Sequence, residues 1–210
     1  NNAGNIIAFN RDGGVVVFQN AGNSILGNSI FRNEGLGIDL GADSVTANDN
    51  QDPDVGANML QNYPVILSAT NDGANAVIKG YLDSKLSKTY LIELFGSRDP
   101  DLTGFGEGQV LMGRKTVTTD GSGMANFTGT VSTAGFVPNF ITATATDSGS
   151  GDTSEFSYRF LMDTDGDGMG DGYEVEYLGG YTNGNPGGHA DSDGVDNLGE
   201  FLAETDPTVA

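Results

Sequence analysis

The chain has 210 residues, a formal net charge of -20 and no cysteine. This acidic excess disfavours nucleic acids and anionic membrane surfaces as partners and makes divalent cations the natural counterions. The lack of cysteine excludes disulfides and thiolate metal sites, and no apolar run approaches the roughly 18 residues of a membrane span. With 33 glycines and few helix-favouring runs, the composition predicts a mostly β protein of short strands and tight turns.

The first predicted segment, residues 1–62, contains an internal repeat with a constant offset of 23 residues. A repeat of this length with alternating apolar residues is typical of parallel strands wound into a solenoid. Asn tolerates left-handed backbone angles at the turns, and stacked Asn side chains can bond from coil to coil. The matched pairs are Asn5 and Asn28, Ile7 and Ile30, Asn10 and Asn33, Gly14 and Gly37, Val15 and Ile38, and Val17 and Leu40.

The phrases GNSILGNSIFRNEGLGIDL and NDNQDPDVGANMLQNYPVILSA resemble the last coils of right-handed parallel β-helix proteins, which occur in large bacterial secreted polypeptides. Solenoids normally have about three or more repeats and a terminal cap, whereas only about two coils are visible in this sequence. We therefore expect either that the chain is part of a longer protein or that another element covers the open coil.

An acidic cluster of Asp49, Asp52 and Asp54 lies where this segment ends. Pro53 and Gly56 favour a fixed turn there. The cluster fits a turn-rich connector that needs no metal, and it also fits a third calcium site. The sequence leaves both interpretations open.

The second predicted segment, residues 63–160, has the alternation of half-buried strands, which is clear at Tyr90, Ile92 and Leu94. Seven strands over this length predict an immunoglobulin-like β-sandwich. The phrases GYLDSKLSKTYLIELF and ITATATDSGSGDTSEFS resemble a sandwich module that commonly follows such β-helices, and the resemblance implies a spacer role. The strands are predicted in PVILSA, NAVIKGYLD, KTYLIELFGS, GQVLMGRKTVTT, GMANFTGTV, NFITATATD and TSEFSYRF.

The first two segments give little evidence for a catalytic site. Glycoside hydrolysis needs two carboxylates on opposite sides of a sugar, usually with aromatic side chains that stack on the sugar. Phe105 alone is weak evidence for such an aromatic platform. A pectate-lyase-like site needs a calcium cluster beside a basic residue, and the coils offer only Arg11 and Arg32. We assign no catalytic residue and expect the protein not to be an enzyme, with a polysaccharide lyase as the remaining alternative. The sandwich carboxylates considered are Glu93, Asp99, Asp101 and Glu107.

The third predicted segment, residues 161–210, holds twelve carboxylates and no Lys or Arg, with helices predicted in YEVEYL and NLGEFLA. The stretch DTDGDGMGDGYE fits a twelve-position calcium loop, in which positions 1, 3, 5, 7, 9 and 12 supply oxygens and position 6 is Gly. A solvated acidic linker does not reserve Gly for position 6 and Glu for position 12. The predicted ligands are Asp163, Asp165, Asp167, Met169 through its backbone carbonyl, Asp171 and Glu174, with Gly168 at the turn.

A second loop, HADSDGVDNLGE, matches the same pattern less well because its first position is His189, and imidazole is a poor calcium ligand. Water, a backbone carbonyl, Asp196 or a residue of the other loop would have to replace it. Otherwise the loop is a turn that merely starts the helix. The predicted ligands are Asp191, Asp193, Val195 through its carbonyl, Asn197 and Glu200.

Together, DTDGDGMGDGYEVEYL and HADSDGVDNLGEFLAETDP resemble the paired calcium loops of dockerin-like and thrombospondin type-3-like modules in bacterial surface proteins. The resemblance implies Ca²⁺ as the bound ion and, for dockerins, a cohesin partner. We expect a calcium-stabilised extracellular or cell-surface structural protein, with a short right-handed parallel β-helix, an immunoglobulin-like β-sandwich and a small α-helical EF-hand-like calcium module. An unpaired coil edge favours self-association head to tail into a surface or matrix filament. The alternative is a dockerin-like anchoring or adhesion region of a larger secreted protein.

Overall fold

The computed structural model describes residues 4–210, so the first three residues of the predicted 1–62 segment lie outside the described part of the chain. The protein is mostly β, as expected. The strands are β1 (Ile6–Ala8), β2 (Val15–Val17), β3 (Ser29–Phe31), β4 (Ile38–Leu40), β5 (Val65–Asn71), β6 (Asn75–Asp83), β7 (Thr89–Ser97), β8 (Val110–Thr118), β9 (Met124–Ser132), β10 (Phe140–Asp147) and β11 (Phe160–Leu161). The helical segments are a 3-10 turn (Ala57–Leu60), α1 (Asp171–Tyr173), which continues as a π-helical turn (Glu174–Leu178), and α2 (Asn197–Ala203).

The four short strands at the start of the chain form two parallel pairs, β1 with β3 and β2 with β4. Their register follows the sequence repeat. Asn5 donates its side-chain N–H to Oδ1 of Asn28, 23 residues further on, at 3.1 Å. Asn10 bonds to Asn33 in the same way at 2.7 Å. The predicted asparagine bonds between coils are therefore present.

The left-handed residues at these turns are not the asparagines of the repeat. Phe9 and Arg32 have φ values of 61° and 55°, whereas Asn10 and Asn33 are not left-handed. The prediction of left-handed Asn is wrong at these two positions because the preceding residue makes the turn. This leaves each Asn side chain free to bond to the neighbouring coil.

Residues 65–161 form two antiparallel sheets that enclose one apolar core. One sheet has the order β5-β6-β9 and the other the order β11-β10-β7-β8. Alternate residues of both sheets point inward, and Ile78, Tyr90, Ile92 and Ile141 are fully buried between them. The sheet-on-sheet arrangement follows from the alternation of apolar residues in the sequence.

The seventh predicted strand is the one whose form differs from expectation. TSEFSYRF has isolated bridges at Thr153 and Tyr158, and regular pairing begins only at Phe160. Side-chain hydroxyls take over part of the pairing, since the Ala145 N–H donates to Oγ of Ser154. These buried hydroxyls interrupt the backbone ladder.

Carboxylates of the sandwich cap the edge of the second coil. Glu93 accepts the N–H of Gly27 at 2.8 Å, and Glu155 accepts the N–H groups of Leu40 and Thr46, both at 2.9 Å. These bonds satisfy backbone N–H groups in and beside β3 and β4. Glu107 bonds to Asn33 in the same way, and Ile30 and Gly108 exchange backbone bonds.

The C-terminal segment packs on one end of the sandwich. Tyr173 donates its backbone N–H to Oδ1 of Asn139 at 2.7 Å. Its ring contacts Phe201 of α2, with a centroid separation of 5.2 Å, and Phe201 stacks on Phe140 of β10. An ion pair of 2.7 Å joins Arg98 to Glu176. These contacts hold both acidic loops beside the sandwich.

Within residues 4–210, none of the helices combines the length and the apolar character needed to cross a bilayer.

Candidate metal centres

The first acidic loop is folded around the carboxylate of Asp163. Its Oδ1 accepts the N–H of Gly166 at 2.7 Å, and its Oδ2 accepts the N–H of Gly168 at 2.9 Å. Both glycines have positive φ, 79° and 96°, which L side chains adopt only at a cost. Gly168 therefore makes the sharp turn expected at the sixth position of the loop.

Three carboxylates converge in this loop. One oxygen from each of Asp163, Asp165 and Asp167 lies within 4.8 Å of the others. Oδ2 of Asp167 is buried and accepts no hydrogen bond within the described residues. Such an arrangement concentrates negative charge at one point, and a hard cation would neutralise it.

Glu174 lies near these carboxylates without being one of the three that converge. Its side chain is fully buried, and its Oε2 is without a hydrogen-bond partner among residues 4–210. Its Oε1 accepts the N–H of Gly184 at 2.8 Å. A methyl group added at Gly184 would lie 2.6 Å from Glu174 Oε1 and 3.2 Å from Asp167 Oδ2, so both carboxylates border one glycine.

Two other predicted ligands of this loop have structural contacts. Both oxygens of Asp171 bond to Thr164, one to its N–H and one to its hydroxyl, each at 2.7 Å. Asp171 therefore stabilises the loop through its bonds to Thr164 and does not join the three converging carboxylates. Met169 is fully buried and donates its N–H to Asp167 at 2.8 Å, and the role of its carbonyl stays a prediction.

Burial raises the pKa of three carboxyl groups in this loop. Burial, followed by the charges of Asp165, Asp167 and Asp171, raises the pKa of Glu174 to about 7. Burial also raises the pKa of Asp171 to about 6. The pKa of Asp167 is raised by burial as well. Without a cation, the folded loop holds protons that the unfolded chain would release.

The second loop brings together Asp191, Asp193 and Glu200, with one oxygen of each within 4.8 Å of the others. Oδ2 of Asp191 and Oε2 of Glu200 are buried and unbonded in the described part of the chain. Burial, and then the charges of Asp191 and Asp193, raise the pKa of Glu200. Like the first loop, the second loop therefore combines three converging carboxylates with buried carboxylate oxygens that have no partner in the described residues.

His189 and Asn197 set this loop apart. Nδ1 of His189 lies 2.7 Å from the carbonyl oxygen of Val195, so the imidazole occupies the carbonyl predicted as a ligand. Asn197 accepts the N–H of Ala190 at 3.2 Å and donates to the carbonyl of Asn185 at 3.0 Å, which ties the loop together.

Asp196, considered as a substitute for the first ligand, instead caps α2. It accepts the N–H of Gly199 at 2.7 Å, the ordinary bond of an N-cap residue. A first-position ligand from the side chain of His189 or Asp196 is therefore not formed in this arrangement.

The sandwich carboxylates considered for sugar chemistry have structural partners. Glu93 pairs with Arg114 at 2.6 Å in addition to capping the second coil. Asp99 pairs with Arg32 at 2.7 Å. Asp101 accepts the N–H of Thr103 at 2.8 Å. The capping roles of Glu93, Glu107 and Glu155 are not visible in the sequence, because nothing local marks a carboxylate that binds backbone far along the chain.

The third cluster, Asp49, Asp52 and Asp54, also brings one oxygen of each residue within 4.8 Å of the others.

A scan of the chain against protein-family models finds no match.

Proposed function

We propose that the chain is a calcium-stabilised extracellular structural protein. In this proposal the paired parallel strands are part of a short right-handed β-helix, the two sheets form an immunoglobulin-like spacer, and the C-terminal segment is an EF-hand-like calcium module. The observation that carries the proposal is the convergence of three carboxylates in each C-terminal loop beside buried oxygens with no partner in residues 4–210, on Glu174 and Glu200.

The donor chemistry favours Ca²⁺ over other ions. All converging side-chain groups are carboxylates, which suit hard cations, and no cysteine is present. Calcium accepts six to eight oxygens in flexible geometry, so it tolerates an incomplete loop completed by water. Mg²⁺ demands a near-octahedral shell and loses its water reluctantly.

Calcium binding would stabilise the fold because the ion neutralises carboxylates that otherwise repel one another. A ligand that binds only the folded state adds about 2.7 kcal/mol when its free concentration is 100 times its dissociation constant. Weak calcium modules of dissociation constant about 10⁻⁴ to 10⁻³ M are filled at extracellular calcium levels. An extracellular location follows from this dependence as part of the proposal.

The direct test is calorimetric titration of the full chain with Ca²⁺, together with a variant that carries Glu174→Gln and Glu200→Gln. Each substitution keeps the size of the side chain and removes one buried charge. The wild type is expected to bind calcium at both loops and the variant at neither. A matched control, Glu176→Gln with Glu204→Gln, alters nearby carboxylates of the same two helical regions and should bind as the wild type does. Equal calcium uptake by all three proteins would overturn the proposal.

Self-association is a second candidate function, favoured by the surface of the first coil. Ile6, Phe9 and Phe18 are 77%, 71% and 74% exposed. On the side away from β3 and β4, β1 and β2 pair with no other strand of residues 4–210. Such an edge can receive a strand from a second subunit. Sedimentation in millimolar calcium would show concentration-dependent growth, and a monomer at the highest concentration would count against it.

A further inference from the structure

The cluster of Asp49, Asp52 and Asp54 lies in the segment that connects β4 to β5. Hydrogen bonds fix the backbone of this segment. Asn62 accepts the N–H of Asp49 at 3.1 Å and donates to the carbonyl of Asp83 at 2.8 Å. The backbone N–H of Gln51 is also bonded, since it donates to the carboxylate of Asp83. The three aspartates are thus carried by a rigid turn that touches the end of β6.

Each aspartate of the cluster has one buried oxygen without a hydrogen-bond partner in residues 4–210. In each case this oxygen is Oδ1. Asp52 is the decisive member because its whole residue is 0% exposed, so neither solvent nor a protein donor satisfies this oxygen. Buried polar atoms are normally paired, and a buried, unpaired carboxylate oxygen needs a specific explanation.

The spacing of these oxygens matches a shared ion. Calcium holds oxygens at about 2.3 to 2.6 Å, so two oxygens on one ion are at most about 5 Å apart. One carboxylate oxygen from each of the three aspartates lies within 4.8 Å of the others. Lys85 is near enough for its charge to affect Asp52 and Asp54, yet it forms no ion pair with them within residues 4–210. The local charge therefore stays negative.

We propose that Asp49, Asp52 and Asp54 form a calcium site at the junction between the coils and the sandwich. It is separate in sequence from the two C-terminal loops and does not depend on the function proposed for them. Only hard oxygen donors converge there, and the fixed turn supplies three of them from a span of six residues.

The position of the site gives the ion a mechanical role. The second oxygen of Asp52 accepts the hydroxyl of Ser84 at 2.5 Å, and that hydroxyl lies 2.9 Å from the hydroxyl of Tyr90 in the sandwich core. On the other side, Asn58 of the same segment donates to carbonyls of Asn23 in the coils and Thr153 in the sandwich. An ion held by the three aspartates would fix the orientation of the coils relative to the sandwich.

The site can be tested with calcium itself on the full chain. Asp54→Asn removes one ligand charge and leaves the bond between Asp52 and Ser84 in place. Titration calorimetry should show one equivalent of calcium fewer for Asp54→Asn than for the wild type. Asp43→Asn, an exposed aspartate of the same connecting segment, is the matched control and should bind as the wild type does.

Terbium luminescence locates the ion independently. Tyr90 is one hydrogen-bonded hydroxyl away from Asp52, so Tb³⁺ in this site should be sensitised by tyrosine excitation. The measurement uses the full chain with Glu174→Gln and Glu200→Gln, which weakens the two loops. In that background, adding Asp54→Asn should abolish most of the signal, and calcium should compete for it better than Mg²⁺ does.

The outcomes separate the two proposals. If Asp54→Asn takes up as much calcium as the wild type and keeps the terbium signal, the junction site is wrong while the loops are untouched. If only the Glu174→Gln and Glu200→Gln protein keeps its full calcium uptake, the loops fail and the junction stands. Displacement of calcium by an equal concentration of Mg²⁺ would overturn the assignment of the ion. Circular dichroism of each variant in chelator verifies that it is folded.

Discussion

Replacing Glu174 by Gln should raise the stability of the C-terminal segment without calcium and reduce the stabilisation that calcium adds. The amide keeps an oxygen that can accept the N–H of Gly184, now at 2.8 Å from the carboxylate, and removes a buried charge. It also supplies N–H donors on the side where Oε2 has no partner in the described residues. In chelator the substitution therefore removes repulsion, and in calcium it removes a ligand.

The size of the effect without calcium follows from the acidity of the group. The pKa of Glu174 rises from 4.5 to about 7. Because the folded-state value is the higher one, calcium-free stability falls as the pH rises from 4.5 to about 7, and the full penalty is present above that range. A shift of this size corresponds to at most about 3 kcal/mol. At pH 8 in chelator, Glu174→Gln should be more stable than the wild type by up to that amount.

The stabilisation gained on adding calcium should be smaller in the variant than in the wild type. At a free calcium concentration 100 times the dissociation constant, the wild-type loop gains about 2.7 kcal/mol. The position-12 glutamate normally binds with both oxygens, so the variant should retain less than about 1 kcal/mol of this gain.

Urea unfolding followed by tyrosine fluorescence measures both quantities. The chain has no tryptophan, and Tyr173 and Tyr177 lie beside the loop with their ring centroids 5.1 Å apart. Glu176→Gln is the control, because this half-exposed residue pairs with Arg98 and such pairs contribute about 1 kcal/mol or less. If Glu174→Gln is less stable than the wild type in chelator and keeps the full gain in calcium, the reasoning is refuted.

Three further predictions concern other parts of the chain. His189→Asp should tighten calcium binding at the second loop by about tenfold, or about 1.4 kcal/mol, because it frees the Val195 carbonyl and adds a first-position carboxylate; an unchanged affinity in calorimetry would count against this. Asn33→Ala should cost about 2 to 4 kcal/mol in urea unfolding, since it leaves the N–H of Asn10 without its acceptor and leaves buried Glu107 with only the backbone N–H of residue 33; a loss below about 0.5 kcal/mol would contradict the role given to the asparagine bonds. Burial raises the pKa of Glu107 to about 7 from 4.5, so calcium-free stability should fall as the pH rises from 4.5 to about 7, and Glu107→Gln should flatten this slope in unfolding measured at pH 5 and pH 8; an equal slope in both proteins would show that Glu107 does not titrate in this window.

The sequence was most informative where local patterns determine the structure. The offset between Asn10 and Asn33 appears as a hydrogen bond of 2.7 Å, since the parallel pairing of β1 with β3 and of β2 with β4 places equivalent residues side by side. Alternation at Tyr90 and Ile92 placed the strand and its buried face. The spacing of Asp163, Asp165 and Asp167 correctly grouped these three carboxylates, because a chain that reverses at Gly168 turns alternate side chains inward.

Non-local contacts explain what the sequence did not predict. Glu155 bonds to Leu40 across 115 residues, and no local pattern marks a carboxylate that accepts a backbone N–H so far along the chain. Asp171 occupies a ligand position in the sequence pattern, yet its carboxylate is held by Thr164. The residue type marks His189 as a poor calcium ligand, but its bond to the Val195 carbonyl depends on the folded loop. In each case, hydrogen bonding in three dimensions determines which role the side chain takes.

Hydrogen–deuterium exchange of the full chain in calcium and in chelator tests most directly whether calcium holds the C-terminal segment in its fold. We expect calcium to slow exchange in peptides covering residues 163–178 and 189–203, while peptides from β8 in the sandwich exchange at the same rate in both conditions. Identical exchange of the C-terminal peptides with and without calcium would contradict it.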